Sequence, residues 1–356
     1  MPLQKEKTLI LSGDDVIRIV EKFGIDRLMD SLIERLTNAV HDFDKSKTDI
    51  PIRSGFNYQT ENPGLIEWMP VHKKGKEVVI KVVGYHPQNP NNFNLPTILS
   101  SISSYDTKTG HLNGIADGVL LTALRTGAAS AVASRLLAKP KSTVLGLIGC
   151  GAQAVTQLHA LSRVFQFSEV LIYDIDQKSM DTLRDRIEML DIQLDIKTAS
   201  IKDIIETSDI VCTETSIEVG TGPLFEYHKS KPHLHINAVG SDFPGKTELP
   251  KELLLQSFVC PDFFEQAKIE GECQQLSDSE IAPDWVEVLQ NADDYVQVKD
   301  QISIFDSTGW ALEDQVVMDL FLDLADEFDI GLEVAIENVS EDAKNPYHFL
   351  TKAVEV

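Results

Sequence analysis

The sequence is short of positive charge. Its 32 Lys and Arg face 56 Asp and Glu, a formal net charge of −24. Nucleic-acid binding needs clustered Lys and Arg to neutralise phosphates, so that class of partner is excluded. An anionic membrane surface is disfavoured for the same reason. Cysteine is scarce too. Cys150, Cys212, Cys260 and Cys273 form no CxxC pair and have no His at ligand spacing. This excludes a disulfide framework and a metal site, and points to reduced thiols in the cytoplasm. No apolar run reaches the roughly 20 residues that a membrane span needs. The opening MPLQKEKTLILSGDD has neither the apolar core nor the cleavage site of a signal peptide. Internal repeats and low-complexity linkers are missing as well. What remains is ordinary globular composition, 42% hydrophobic and 25% charged, over 356 residues. That length exceeds one comfortable core, so two domains are expected.

The organisation changes along the chain. A short strand at Thr8 to Leu11 leads into a helix, with Ser12 as its N-cap and Asp14 and Asp15 at its positive end. From Pro51 to Ser104, the segments LIEWMPV, EVVIKVVGYHP and TILSSISSYD read as strands separated by turns. They predict a mainly antiparallel sheet. After Leu124 a helix of small residues, Thr126 to Ala138, ends at Lys139-Pro140. Strands STVLGLIG, EVLIYD, IVCTET and HLHINAVG then alternate with helices, one from about Gln153 and one around Ser179 to Leu190. That alternation marks a parallel, doubly wound sheet. An amphipathic helix, Glu313 to Phe328, returns to the first unit. The expected fold class is α/β: a doubly wound domain over 129–321, inserted into an α+β domain formed by 1–128 and 322–356.

Within the second unit, VLGLIGCGAQ runs an apolar strand straight into Gly149-x-Gly151-x-x-Ala154 and then a helix. Gly149 permits the tight turn, Gly151 lets the backbone approach a pyrophosphate, and Ala154 allows close helix–strand packing. The pyrophosphate would sit at the helix N-terminus. Asp174 ends the next strand, about 20 residues on, where a carboxylate accepts hydrogen bonds from ribose hydroxyls. It would repel a 2′-phosphate. The unit therefore reads as a Rossmann domain that prefers NAD to NADP.

Four more segments join this fingerprint: LIEWMPV (65–71), TALRTGAAS (122–130), NAVGSDFPGKTEL (237–249) and IFDSTGWALED (304–314). With LIGCGAQA, in this order and spacing, they resemble the ornithine cyclodeaminase/mu-crystallin family over essentially the whole chain. The resemblance implies a Rossmann domain plus a substrate domain whose sheet pairs across a two-fold axis in a homodimer. It also implies residue roles. Arg53, Lys81 and Arg125 match basic residues around the substrate carboxylate, Glu67 the active-site glutamate, Asp242 the catalytic aspartate and Thr308 a substrate contact. Thr97, Arg125, Ala152, Gln153, Asp174, Thr213, the strand end Ile236, Asn237, Ala238 and Val239, Lys246 and Ser307 match cofactor contacts. Extra residues, NYQTENPG, separate Arg53 from Glu67 in this chain.

The residues fit that chemistry. A guanidinium fork and an ammonium hold an α-carboxylate well, and Lys81 lies inside the apolar run VVIKVVG. Asp242 follows the strand HLHINAVG at its carboxyl end, where doubly wound sheets place their ligands. There it can take up a proton from the substrate amine. Glu67 would order a water or the distal ammonium. His86 reads as a structural turn residue and Trp310 as a pocket wall. In such a family the expected activity is cyclodeamination. Hydride leaves Cα for NAD, the distal amine closes the ring, ammonia departs and the hydride returns. PIRSGF, PQNPNNFNLPT, HALSRVF and KTELPKELL lean towards lysine, whereas GSDFPGKTEL and GWALEDQ look equally like ornithine enzymes. The rivals are a cyclic ketimine reductase or amino-acid dehydrogenase and, in another class, a mu-crystallin-like binding protein. Retention of Lys81, Glu67 and Asp242 together argues against the last.

Overall fold

The computed structural model describes residues 6–351, apart from 60, 191, 193, 338, 339 and 341. It contains two sheets joined by long helices.

The first sheet is built from β1 (Thr8–Leu11), β2 (Thr48–Asp49), β3 (Ser54–Tyr58), β4 (Gly64–Lys73), β5 (Glu77–Tyr85), β6 (Ile98–Asp106) and β7 (Leu112–Asp117). Along β4 to β7 the pairing is antiparallel, as the alternating pattern predicts. Alternation along β5 sends Val79, Lys81 and Val83 inward and leaves Val82 half exposed on the other face. Two helices cover the region before β2, α1 (Gly13–Phe23) and α2 (Ile25–His41). Ser12 and Asp15 form the capping box that starts α1. The apolar stripe Leu28, Met29, Leu32, Ile33, Leu36 and Val40 buries one face of α2.

The second sheet comprises β8 (Val144–Ile148), β9 (Glu169–Tyr173), β10 (Asp195–Thr198), β11 (Ile210–Thr213), β12 (His235–Ala238), β13 (Phe258–Pro261) and β14 (Ser303–Asp306). Its order is β10-β9-β8-β11-β12-β14-β13, parallel throughout. The doubly wound reading therefore holds. A last strand, β15 (Leu332–Val334), returns to the first sheet, the unit to which the tail was assigned, and pairs antiparallel with β1.

Two helices tie the sheets together: α3 (Val119–Leu137), which leads into β8, and α5 (Ala311–Phe328), which follows β14. Helix α4 (Ala152–Val164) lies between them in sequence and packs on α3. That packing is close because Gly127 has no side chain: a Cβ there would lie 2.5 Å from the Thr156 carbonyl oxygen. Helix α3 starts at Val119, seven residues before the expected Thr126, because VLLTALR is already apolar enough to be buried. The joints expected at 128/129 and 321/322 lie inside α3 and α5. One hydrophobic core, from Leu32 and Ile102 through Leu124 to Phe305, runs across both sheets' flanks. The helix expected around Ser179 to Leu190 is corrected to three short turns, Gln177–Asp181, Leu183–Arg186 and Glu188–Leu190. Only Leu183, Ile187 and Leu190 are buried there, and Thr182 Oγ1 bonds back to the Lys178 carbonyl.

Candidate active site

The dinucleotide cradle forms where β8 ends. Gly149 has φ +109°, and a Cβ on it would lie 2.9 Å from the Glu214 carbonyl oxygen, so only glycine fits. Gly151 differs: a Cβ there would meet nothing within 4 Å, which leaves the approach to the α4 N-terminus open. Asp174, just past β9, accepts the Cys150 N–H at 2.7 Å through Oδ2 and the Asp176 N–H at 2.8 Å through Oδ1. It thus orders the turn as well as facing it. Thr213 closes β11, Ile236 to Ala238 form the end of β12, and Ser307 follows β14. All stand at the carboxyl edge of the parallel sheet. The Ser307 hydroxyl is buried without a partner, which suits a ligand that brings its own hydrogen-bonding groups. These features fit a dinucleotide. Asn237 offers only its backbone to this edge, since its side chain is turned into the core against Ser134 and His235.

Beside the cradle sits a cluster of charged groups drawn from both sheets. Lys81, on β5, is fully buried and donates to Asp314 Oδ1 at 2.9 Å. Arg125, on α3, donates Nη1 to Glu313 at 2.5 Å and sets Nε 3.1 Å from the same Asp314 oxygen. Burial and the neighbouring Arg125 charge pull the Lys81 amine down to about 8. Burial pushes Glu313 up to about 7 against the pull of Arg125. Gly309 makes room for this guanidinium: its φ is +87°, and a Cβ would lie 2.7 Å from Arg125 Nη1.

Arg53 closes the other side. Its Nη2 donates to the carbonyls of Thr308 at 2.5 Å and Gly309 at 2.8 Å, and Nη1 pairs with Glu270 at 3.0 Å. Much of this guanidinium is therefore committed to the protein itself. Thr308 is likewise engaged, its hydroxyl donating to Asp262 at 3.0 Å. Glu67 lies 3.9 Å from Arg53, and burial raises its carboxyl, with Asp242 adding to the rise. Glu270 is pushed up to about 8 by burial, opposed by Arg53 and reinforced by Glu67 and Asp242. Asp242 is partly exposed and accepts from Lys246 Nζ at 2.7 Å; that ammonium also lies 5.4 Å from the Tyr85 ring centre. The cations Lys81, Arg125, Arg53 and Lys246 thus stand among the acids Glu313, Asp314, Glu67, Glu270 and Asp242.

Comparison with known proteins settles the lineage. The model of the ornithine cyclodeaminase/mu-crystallin family matches residues 14–327. The chain belongs to that family. An L-lysine cyclodeaminase of Streptomyces rapamycinicus is 41% identical over 342 residues, covering 96% of this chain and 99% of its own. A solved lysine cyclodeaminase structure, described for its recognition of L-lysine, L-ornithine and L-2,4-diaminobutyric acid, superposes with TM-score 0.92. It is 45% identical and covers 96% of this chain and 99% of its own. An archaeal alanine dehydrogenase dimer with bound NAD superposes with TM-score 0.81 at 29% identity, covering 93% and 100%. As a member of this family the chain has an α/β fold with a parallel, NAD-binding type of sheet.

Family motifs alone did not point to four of these groups. Glu313 and Asp314 sit inside the GWALED segment, but nothing in the string says that they hold two cations. Glu270 and Glu214 lie outside every motif. A carboxylate at the end of an apolar strand, IVCTE for Glu214, is the one signal that could have marked either. His86 is the structural residue expected, bonded to the Tyr58 hydroxyl at 2.5 Å. Trp310, expected as a pocket wall, is buried among Phe43, Phe263 and Trp285 in the hydrophobic core.

Proposed function

We propose that this chain is an NAD-dependent cyclodeaminase that converts a basic L-amino acid into a cyclic one with release of ammonia. L-Lysine would give L-pipecolate and L-ornithine would give L-proline. The observation that carries the reading is that one site gathers two buried cations, Lys81 and Arg125, held by Asp314 and Glu313, and a second group of acids, Glu67 and Glu270 beside Arg53 with the charge of Asp242 acting on both. A diamino acid has the complementary pattern, one carboxylate and two amines. Alanine would leave the distal acids unmatched.

The residue roles are part of the proposal. Lys81 and Arg125 hold the α-carboxylate, with Arg53 bracing the loop at Thr308 and Gly309 beside it. When bound, NAD supplies an acceptor and donor of hydride at Cα, held over Gly149, Gly151, Ala152 and Gln153 and by Asp174, Thr213, Lys246 and Ser307. Asp242 takes the proton of the reacting amine. Glu67 and Glu270 anchor the distal ammonium and accept its proton, which frees a lone pair for ring closure. The net change is loss of one NH3, so no nicotinamide is consumed. The lean towards lysine has the support of the 41% identical lysine enzyme.

The first sheet supports a homodimer. Phe56, Ile66, Gly84 and Leu99 face one another across β3 to β6 in register, and Phe56, Ile66 and Leu99 are exposed. An apolar stripe of this kind is covered in assemblies. The four cysteines are free and buried, in keeping with a reducing cytoplasm. Among the described residues no helix is long and apolar enough to cross a membrane.

A net oxidoreductase is the second reading, favoured by the likeness to the archaeal alanine dehydrogenase. Purified protein with catalytic NAD and either lysine or ornithine separates the two. Cyclodeamination yields the cyclic amino acid by mass and equimolar ammonia with no steady rise in NADH absorbance. Stoichiometric NADH overturns it.

A further inference from the structure

Glu214 follows β11 at the place where the parallel sheet reverses its winding. Strands β8, β9 and β10 run one way from there, and β11, β12, β14 and β13 the other. Doubly wound sheets bind ligands in the crevice at that switch. The backbone fixes Glu214 there. Its N–H donates to the Ile148 carbonyl at 3.0 Å, and its Cγ lies 3.2 Å from the place a Gly149 Cβ would take. Both carboxylate oxygens are buried and have no hydrogen-bond partner.

The surroundings are hostile to a charge on this group. Asp174 approaches from the end of β9 and Glu248 from the loop after β12, both acids. The Cys150 thiol on the glycine turn and Cys212 on β11 complete the ionisable groups around it. Arg186 is spent on the carbonyls of Cys150, Gly151 and Ser179, and Lys246 on Asp242. Burial first, then Glu248 and Asp174, hold the Glu214 carboxyl well above the ordinary carboxylate range.

We propose that Glu214 is a cofactor-binding residue that works as the uncharged acid, donating its O–H to the adenosine diphosphate half of the dinucleotide. This rests on the NAD reading and adds to it a residue that no fingerprint includes. Its unpaired oxygens adjoin the glycine turn and Asp174, which are the groups assigned to pyrophosphate and ribose. Loss of the proton turns this donor into an acceptor and adds a further negative charge beside the two phosphates. NAD affinity therefore falls as pH rises through the titration of Glu214. For one linked proton the Kd climbs by at most about tenfold per pH unit.

The test is NAD binding, measured by titration calorimetry from pH 6 to 10 on the parent, Glu214→Gln and Glu214→Ala, with no amino acid present. Two buffers of different ionisation enthalpy read proton uptake directly. The parent is expected to weaken with alkalinity and to take up a proton on binding in that range. Glu214→Gln, a donor at every pH, should bind at least as tightly as the parent and lose most of the slope. Glu214→Ala should be equally flat but weaker, because it lacks both donor and charge. Near-identical Kd values and slopes in parent and Glu214→Gln overturn the assignment. A parent that binds no NAD at any pH overturns the cofactor reading itself, and this inference with it.

Discussion

Lys81 and Arg125 meet at one oxygen. Asp314 Oδ1 lies 2.9 Å from the Lys81 ammonium and 3.1 Å from Arg125 Nε, and all three groups are buried. Two like charges held together in a low-dielectric interior repel, and the shared carboxylate offsets that repulsion. The arrangement is preorganised for an incoming carboxylate, which would find two donors already aligned. On the proposed reading Asp314 is a positioning residue.

Removing one partner of a buried pair typically costs about 3–5 kcal/mol. Asp314→Ala should therefore lower thermal stability markedly. In whatever fraction remains folded, KM for the amino acid should rise more than kcat falls, because ground-state clamping is what is lost. An unchanged melting temperature together with an unchanged KM would show that the two cations are held by something else.

Two groups in the site titrate in the same region with opposite consequences. Lys81, pulled down to about 8, must keep its proton to hold the substrate carboxylate. Glu270, pushed up to about 8, must lose its proton to hold the distal ammonium. A plot of kcat/KM against pH should be a narrow bell centred near 8, since that ratio reports groups of the free enzyme. Glu270→Gln should weaken the substrate throughout and flatten the acid limb alone. An acid limb of the same midpoint in that variant would remove Glu270 from the account.

Stability should show the opposite trend to activity on the acid side. Asp262 and Asp306 are pushed up to about 6, Glu313 to about 7 and Glu270 to about 8, in each case chiefly by burial. Their unfolded values lie near 4. Between the two values the folded chain binds protons that the unfolded chain does not, so stability falls as pH rises through that window. Lys81, lowered in the folded state, opposes the trend only above about 8. Melting temperatures should be higher at pH 6 than at pH 8. The reverse order, measured at constant ionic strength, would mean that these acids are better solvated than their burial implies.

The sequence carried most of this architecture because period and punctuation were unambiguous. VLGLIG followed by Gly149-x-Gly151 admits one local structure, and Asp174 falls at the end of the next strand. Lys81 in VVIKVVG was legible as buried because both neighbours on its face are apolar. Long-range electrostatics were not legible. Asp314 is 233 residues from Lys81, and Glu270 meets Arg53 across 217 positions, with no local trace. Helix ends misled for a different reason: α3 is buried all round, so its first turns show no 3.6-residue stripe to mark where it begins.

Asp242 offers the sharpest test of the chemistry. It follows β12 at the carboxyl edge of the parallel sheet, is about one-third exposed at 34%, and bonds Lys246 at 2.7 Å. Its charge acts on both Glu67 and Glu270, so the three acids form one electrostatic group, the one proposed to meet the amines. Asp242→Asn keeps the shape and can still accept from Lys246, but it cannot take a proton. A positioned general base contributes about 10²- to 10⁴-fold, so kcat should fall by at least the lower figure. NAD affinity should change little, because Gly149, Gly151 and Asp174 lie elsewhere in the cradle. Lys246→Met should behave differently. It leaves the Asp242 carboxylate in place but removes a cation next to the cofactor, so NAD binding weakens more than kcat at saturating NAD. If Asp242 only anchors Lys246 and its loop, Asn would serve nearly as well. A kcat for Asp242→Asn within threefold of the parent would then be found, and the catalytic assignment would be lost.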